Sequence, residues 1–332
     1  EVQYSSVSSS SQFFMKMPMT SKPCCFSIHA ATDESTPPDI ATRTDPFEDM
    51  PRCYEVVCAV VAVSSGPASG QGKQRNLVNV VVLVKYVPEP QGTPTLGEDN
   101  LLVREGVEGS LDPGDEFAVE AALQLVEAHG GEVTLLSMGP EVATSALRKG
   151  FSMGASGGVL VTDPALRGAD ALATARVLAA AVRRSAFDLV LAGVESTDGY
   201  TGTLPMTVAE LLGVPSATFA RKVDADGGAL RAERQTEAGY DVVTCPMPAL
   251  VTVTGSAAEP RYPTLKGIMA AKSKPLEQLS LADLGLSGAD VAPTQRVASV
   301  SEAPEKTAGT VIAAGDEAAA KVAELLAEAK AI

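Results

Sequence analysis

Asn79-Val80-Val81-Val82-Leu83-Val84 is, after its first residue, a continuous run of β-branched and aliphatic residues with no polar alternation. A strand with one face in water would alternate, so this one is buried on both faces, as in a parallel sheet covered by helices. The chain that follows keeps that rhythm. Asp112-Pro113 offers an N-cap and a proline at the first helical position, and Phe117, Ala118, Ala121, Ala122, Leu125 and Val126 recur at helical spacing as far as Gly130-Gly131. Strands over 132–137, 158–161 and 187–192 alternate with helices over 141–149, 169–184 and, after a loop, 205–212. These units predict an α/β fold: a doubly wound, mostly parallel sheet with helices on both faces. Short strands over 218–223, 230–235, 240–245 and 250–254, the first pair turning at Asp226-Gly227-Gly228, read as antiparallel pairs on the edge of that sheet.

On either side of this 78–286 body the texture changes. Residues 1–77 carry serine runs with Pro and Gly and no sustained periodicity. A mitochondrial transit peptide is rich in Arg and poor in acids, whereas eight acids outnumber six bases here. We read the segment as a disordered or extraneous leader, with the folded chain starting near Val78. Residues 287–332 read as an extended arm ending in an amphipathic helix over 316–331, with Val322, Leu325, Leu326 and Ala329 along one face.

Composition excludes several functions. Among 332 residues, 41 acids face 26 bases, a formal net charge of −15. A protein that tracks a phosphodiester backbone needs clustered Lys and Arg, and no such cluster occurs, so nucleic acid is excluded as a partner. A mononucleotide needs only a few backbone N–H donors and a helix N-terminus, so it stays open. Two His and five Cys, without CxxC or HxxxH, leave no metal site. With only Cys245 beyond the leader, the body reads as a reduced, cytoplasmic chain, or one of the mitochondrial matrix should the leader be a genuine transit peptide. No apolar run reaches the ~18 residues of a membrane span. The body's one histidine, His129, ends a helix, and no GxSxG, Walker A loop or GxGxxG fingerprint occurs. Neither covalent catalysis nor free-standing NTPase or hydride-transfer chemistry is favoured.

In an open α/β sheet, ligands sit beyond the carboxyl ends of the strands, where strand order reverses. That singles out residues 85–90, 138–140 and 193–204. The third is Gly193-Val194-Glu195-Ser196-Thr197-Asp198-Gly199-Tyr200-Thr201-Gly202-Thr203-Leu204. Its glycines permit close backbone approach, and the helix after it favours an anion. It is either a phosphate cradle or an ordinary glycine-rich connection. A second stretch, Glu259-Pro260-Arg261-Tyr262-Pro263-Thr264-Leu265-Lys266-Gly267-Ile268-Met269-Ala270-Ala271-Lys272, is stiffened by prolines and sets Leu265, Ile268 and Met269 at one-turn spacing among lysines. That pattern fits a short helix packed into its own core, and equally an apolar docking knob with a polar rim.

In chain order, VVLVKYVP from Val81, LDPGDEFAVE from Leu111, residues 137–140, Ser152-Met153-Gly154-Ala155 and EPRYPTLKGIM from Glu259 resemble the beta subunit of electron transfer flavoprotein. The likeness covers about residues 78–286, with a similar arm and helix after it. It implies an adenine-nucleotide-binding, Rossmann-like domain without a catalytic site of its own, in a heterodimer whose alpha subunit holds most of the redox-active FAD. It implies structural AMP at Leu83, Asp112, Pro113, Gly114, Asp115, Met138 and the 193–204 loop. It makes Glu259, Pro260, Arg261, Tyr262, Leu265, Ile268, Met269 and Lys272 the segment that docks flavin dehydrogenases such as the acyl-CoA dehydrogenases, with Leu265 as the apolar plug. The chain departs from the family at Gln235, where a Glu associated with flavin-domain contact is usual, and at Ala270 and Ser273, where animal members carry modifiable lysines. Members that bifurcate electrons with a second FAD tend to show Asp-Gly-Asp-Thr-Ala-Gln in the nucleotide loop; the partial match of Asp198-Gly199-Tyr200-Thr201-Gly202-Thr203 favours AMP. A free-standing adenine-nucleotide-binding regulatory protein is the alternative from another class.

Overall fold

The structure, a computed structural model, describes residues 78–89, 95–226, 228–237, 239–301, 311–312, 315 and 317–329. The leader assigned to residues 1–77 lies outside them. Contacts divide the chain between Arg296 and Val297 into two units.

In the larger unit the aliphatic run forms β1, Val78–Leu83. A small antiparallel pair follows, β2 at Tyr86–Pro88 and β3 at Gly109–Leu111. Helix α1, Pro113–His129, starts at the Asp112 cap and stops at Gly130, whose φ is 75°. Then come β4 at Gly131–Met138, α2 at Thr144–Met153, β5 at Gly157–Val161, α3 at Ala171–Val182, β6 at Leu189–Gly193 and α4 at Leu204–Leu212. β7 at Ser216–Asp226, β8 at Ala229–Thr236, β9 at Gly239–Pro246 and β10 at Ala249–Val253 precede α5 at Leu265–Ala271 and β11 at Leu276–Leu279. Among the described residues one sheet has the order β11-β5-β4-β1-β6-β10-β7-β8-β9. β1 lies between β4 and β6, parallel to both.

The missing alternation in β1 now has its cause. Val80, Val82 and Val84 enter one core cluster with residues of α1 and α2, while Val81 and Leu83 enter another with residues of α3 and α4. A polar residue on either face would be buried without water.

Three sequence expectations are corrected. The strand expected over 250–254 is not an antiparallel edge strand. β10 is buried at every position and runs parallel between β6 and β7, so its apolar run had the same meaning as that of β1. The true antiparallel part is β7-β8-β9. β7 changes partner at Ala220, just after Phe219, a bulky residue held at φ 57° whose backbone N–H donates to Thr252 Oγ1 at 2.9 Å. Second, β2, β3 and β11 were not expected, because runs of three or four residues are too short to show a period. Third, residues 287–296, expected as the start of the arm, belong to the body. Val291 is buried, and Asp170 Oδ2 accepts from Thr294 N at 2.6 Å and Gln295 N at 3.1 Å. The smaller unit contains α6, Ala318–Glu328, with Val322, Leu325 and Leu326 exposed. No helix of the described residues is long and apolar enough to cross a membrane.

Candidate functional site at the switch point of the sheet

Chain order reverses at β1: the strands after it extend first through β4 and β5 on one side, then return to β6 on the other. The segments leaving the carboxyl ends of β1 and β6 therefore flank one crevice. Leu83 ends β1, Met138 ends β4 and Gly193 ends β6, so these expected site residues share that end of the sheet.

The start of α1 closes the crevice through two carboxylates. Asp112 Oδ1 accepts from Gly114 N at 2.8 Å as an ordinary helix cap, while its Oδ2 accepts from Thr197 N at 2.7 Å and Thr197 Oγ1 at 2.9 Å. One side chain thus caps a helix and pins the 193–204 loop to it. Asp115 Oδ2 accepts from Lys85 N at 2.7 Å, and the backbone N–H of Gly193 donates to the same carboxylate. Asp115 ties the ends of β1 and β6 together. Gly193 has to be glycine here, because a Cβ would stand 2.9 Å from Asp115 Oδ1 and 3.2 Å from the Gly114 carbonyl carbon.

Burial and the neighbouring Asp112 push the Asp115 carboxyl well above its usual range, against the two N–H donors that favour its ionised form. A folded pKa above the unfolded ~3.9 gives stability that is full below the unfolded value and is lost as pH rises through the folded one. The advantage in urea midpoint of the native chain over Asp115→Asn should therefore be largest near pH 4 and shrink toward pH 7. A pH-independent difference would show that Asp115 does not titrate in that window.

The middle of the loop is held by charge. Lys85 Nζ lies 2.7 Å from Asp198 Oδ1 and 3.2 Å from Ser196 Oγ, and Arg104 Nη1 lies 2.5 Å from Asp198 Oδ2. Burial opposes the charge on Asp198, but Lys85 and then Arg104 hold its carboxyl below the usual range. Tyr200 takes a left-handed conformation at φ 48°, and its N–H donates to Ser196 O at 2.9 Å. The loop leads straight into α4, whose cap residue Thr203 makes no side-chain hydrogen bond to the helix. The first-turn N–H groups are thus not taken up by the cap, an arrangement suited to an anion. At the carboxyl end of β4, Ser137 Oγ is buried and has no hydrogen-bond partner among the described residues.

Lys85 sits in a segment the sequence had singled out; Arg104 arrives from an irregular excursion between β2 and β3 that carries no period. Pro113, Glu195, Thr197, Tyr200, Thr201 and Thr203 are exposed, whereas Asp112, Asp115 and Gly193 are buried. Among the described residues no group of three His, Cys, Asp or Glu could hold a metal ion. His129 lies in the last turn of α1 with its Nε2 3.2 Å from Asp224 Oδ1. A separate groove of about 910 Å³ runs between α1 and β7–β9, lined among others by Gln124, Arg221, Gln235 and Tyr240.

The second expected segment leaves the sheet after β10. Tyr262 is 92% exposed, Leu265 75%, Met269 67% and Ile268 48%. The core-packing alternative for these residues therefore does not hold: only Ala271 of α5 is buried. Gly267 lets α5 seat on the end of α2, since a Cβ there would be 2.4 Å from Ser152 O. Lys274 Nζ donates to Phe151 O at 2.9 Å and Ala155 O at 2.6 Å, and burial pushes its ammonium pKa down. Glu259 and Lys272 are exposed and Pro260 is partly buried. Arg261, expected among the docking groups, instead turns inward onto Glu120 and Glu127 of α1. Paired carboxylates attract it more strongly than solvent does.

Residues 99–284 match the family model described as "Electron transfer flavoprotein domain". "Electron transfer flavoprotein subunit beta" of Mycobacterium tuberculosis is 38% identical over 266 aligned positions covering 77% of this chain and 100% of the relative. The chain belongs to the electron transfer flavoprotein family, as a beta subunit. Its counterparts from Mycobacterium leprae (40% identical, 71% of this chain and 92% of the relative) and Bacillus subtilis (35%, 77% and 100%) extend the likeness across distant bacteria. In this electron transfer flavoprotein beta subunit, Leu83, Met138 and Gly193 share one end of the sheet, and the segment after β10 exposes Tyr262, Leu265 and Met269.

Proposed function

We propose that this beta subunit binds a structural AMP at the switch point and docks flavin dehydrogenases through residues 259–272, passing their electrons to FAD held mainly by an alpha subunit. The observation that carries the reading is the 193–204 loop, pinned by Asp112, Lys85 and Arg104 and opening directly onto the uncapped start of α4. Its donor set suits a monophosphate: backbone N–H groups and a helix N-terminus, with two cations offsetting Asp198. The Ser137 hydroxyl, buried and unpaired among the described residues, fits a polar ligand at the strand ends. FAD, when bound, supplies the electron-accepting chemistry; the residues of this chain supply position. Asp112 and Asp115 fix the crevice, the loop holds the adenylate, and the apolar tip at Leu265 offers a small, quickly released contact to a dehydrogenase. The chain is an electron-carrier subunit, not a complete enzyme.

Denaturing the purified pair and separating its adenine compounds tests this directly. AMP and FAD are expected in near-equal amounts. Two FAD per pair without AMP would select a bifurcating subunit instead, and a stable colourless monomer would point to a regulatory protein.

A further inference from the structure

We infer that Arg261 is a positioning residue for docking, clamping the segment onto α1 so that Leu265 stands ready to enter a dehydrogenase. The inference rests on the docking role proposed above. Arg261 Nε and Nη2 fork onto Glu120 at 2.7 and 2.9 Å, its Nη1 reaches Glu127 at 2.5 Å, and its backbone N–H donates to Glu120 Oε2 at 3.2 Å. Glu120 and Glu127 lie two turns apart on α1, so one planar guanidinium spans both. The Glu120 side chain is 4% exposed, and burial works against its charge, yet Arg261 holds its carboxyl below the usual range. The next residue, Tyr262, is almost fully exposed, and Leu265 follows three positions on as the first residue of α5. Lys274 anchors the far end on the carbonyls that close α2. The apolar tip is therefore held from both sides while touching little itself. A tip fixed before encounter loses less freedom on binding than a loose one, which strengthens association without adding a contact.

The test uses the co-expressed alpha–beta pair, reduced by an acyl-CoA dehydrogenase with its acyl-CoA substrate, and separately by dithionite, which needs no docking. Arg261→Gln should raise the KM for the dehydrogenase about tenfold, with kcat within about twofold and dithionite reduction unchanged. Arg261→Lys, a single ammonium unable to fork onto both carboxylates, should recover part of that loss. In a Leu265→Ala background, Arg261→Gln should add less than about twofold, because a residue acting through the tip has nothing left to position. An unchanged KM, a fall confined to kcat, or full additivity with Leu265→Ala overturns the clamp. If Arg261→Gln prevents assembly, Glu127→Gln decides, since the Glu127 side chain is 59% exposed and Glu120 keeps its fork. It should raise KM about threefold, and no rise overturns the clamp. A Leu265→Ala pair with native kinetics would instead remove the docking role itself.

Discussion

Leu265→Ala should slow reduction of the pair's flavin by an acyl-CoA dehydrogenase about a hundredfold in kcat/KM, with flavin content, assembly and thermal stability unchanged. The side chain is 75% exposed and sits beyond the Thr264 cap, whose Oγ1 accepts from Gly267 N at 3.0 Å. Truncating it removes no core contact, so stability should move by less than ~0.5 kcal/mol. On docking the same side chain leaves water. Burying a leucine is worth about 1.5–3 kcal/mol, and central apolar anchors cost at least ~2 kcal/mol when truncated. At 1.4 kcal/mol per factor of ten, that corresponds to roughly 30-fold to 150-fold. Leu265→Met, which nearly conserves volume, should stay within a few-fold of the native rate. Stopped-flow bleaching of the flavin absorbance reads both variants. A native rate for Leu265→Ala would take this residue out of docking.

The sequence made the sheet legible where both faces of a strand are covered, since β6 has no polar residue and β1 has only Asn79, near its start. β10 shows the limit of that signal: its residues declare burial on both faces but not the identity of the neighbours, and proximity in sequence to the hairpin strands gave the wrong partner. Pairing is decided by contacts between elements far apart in the chain. The candidate crevice was legible for a different reason. Glycine in the 193–204 loop and the Asp-Pro that caps and opens α1 are local backbone requirements, visible one residue at a time. Arg104 and the inward turn of Arg261 were not legible, because each depends on a carboxylate about 94 or 134–141 positions away. Long charged side chains on an irregular segment can face water or a distant partner, and only the fold chooses.

Gly193→Val should abolish retention of the adenylate and lower the melting temperature by roughly 6–12 °C. Even the first added carbon would stand 2.9 Å from Asp115 Oδ1, 3.2 Å from the Gly114 carbonyl carbon and 3.3 Å from its oxygen. None of these atoms is the free end of a flexible chain: Gly114 is backbone at the start of α1, and Asp115 is fixed by the N–H groups of Lys85 and Gly193. Overpacking a buried site costs about 1–3 kcal/mol, and leaving a buried carboxylate without a donor costs about 1–3 kcal/mol more. A total near 3 kcal/mol at ~2–4 °C per kcal/mol gives that shift. Loss of nucleotide alone would not distinguish a damaged crevice from a generally weakened protein. Leu279→Ala supplies the comparison: Leu279 is buried in β11, at the opposite edge from the β7–β9 strands and three strands from β1, and its truncation costs a similar ~2–5 kcal/mol. If the crevice holds the adenylate through the approach of β6 to α1, the Leu279 variant keeps its AMP at comparable stability while the Gly193 variant does not. Equal AMP content in the two would place the nucleotide elsewhere, since no ligand gripped by the Gly193 loop could survive the displacement of the helix start on which that loop is pinned.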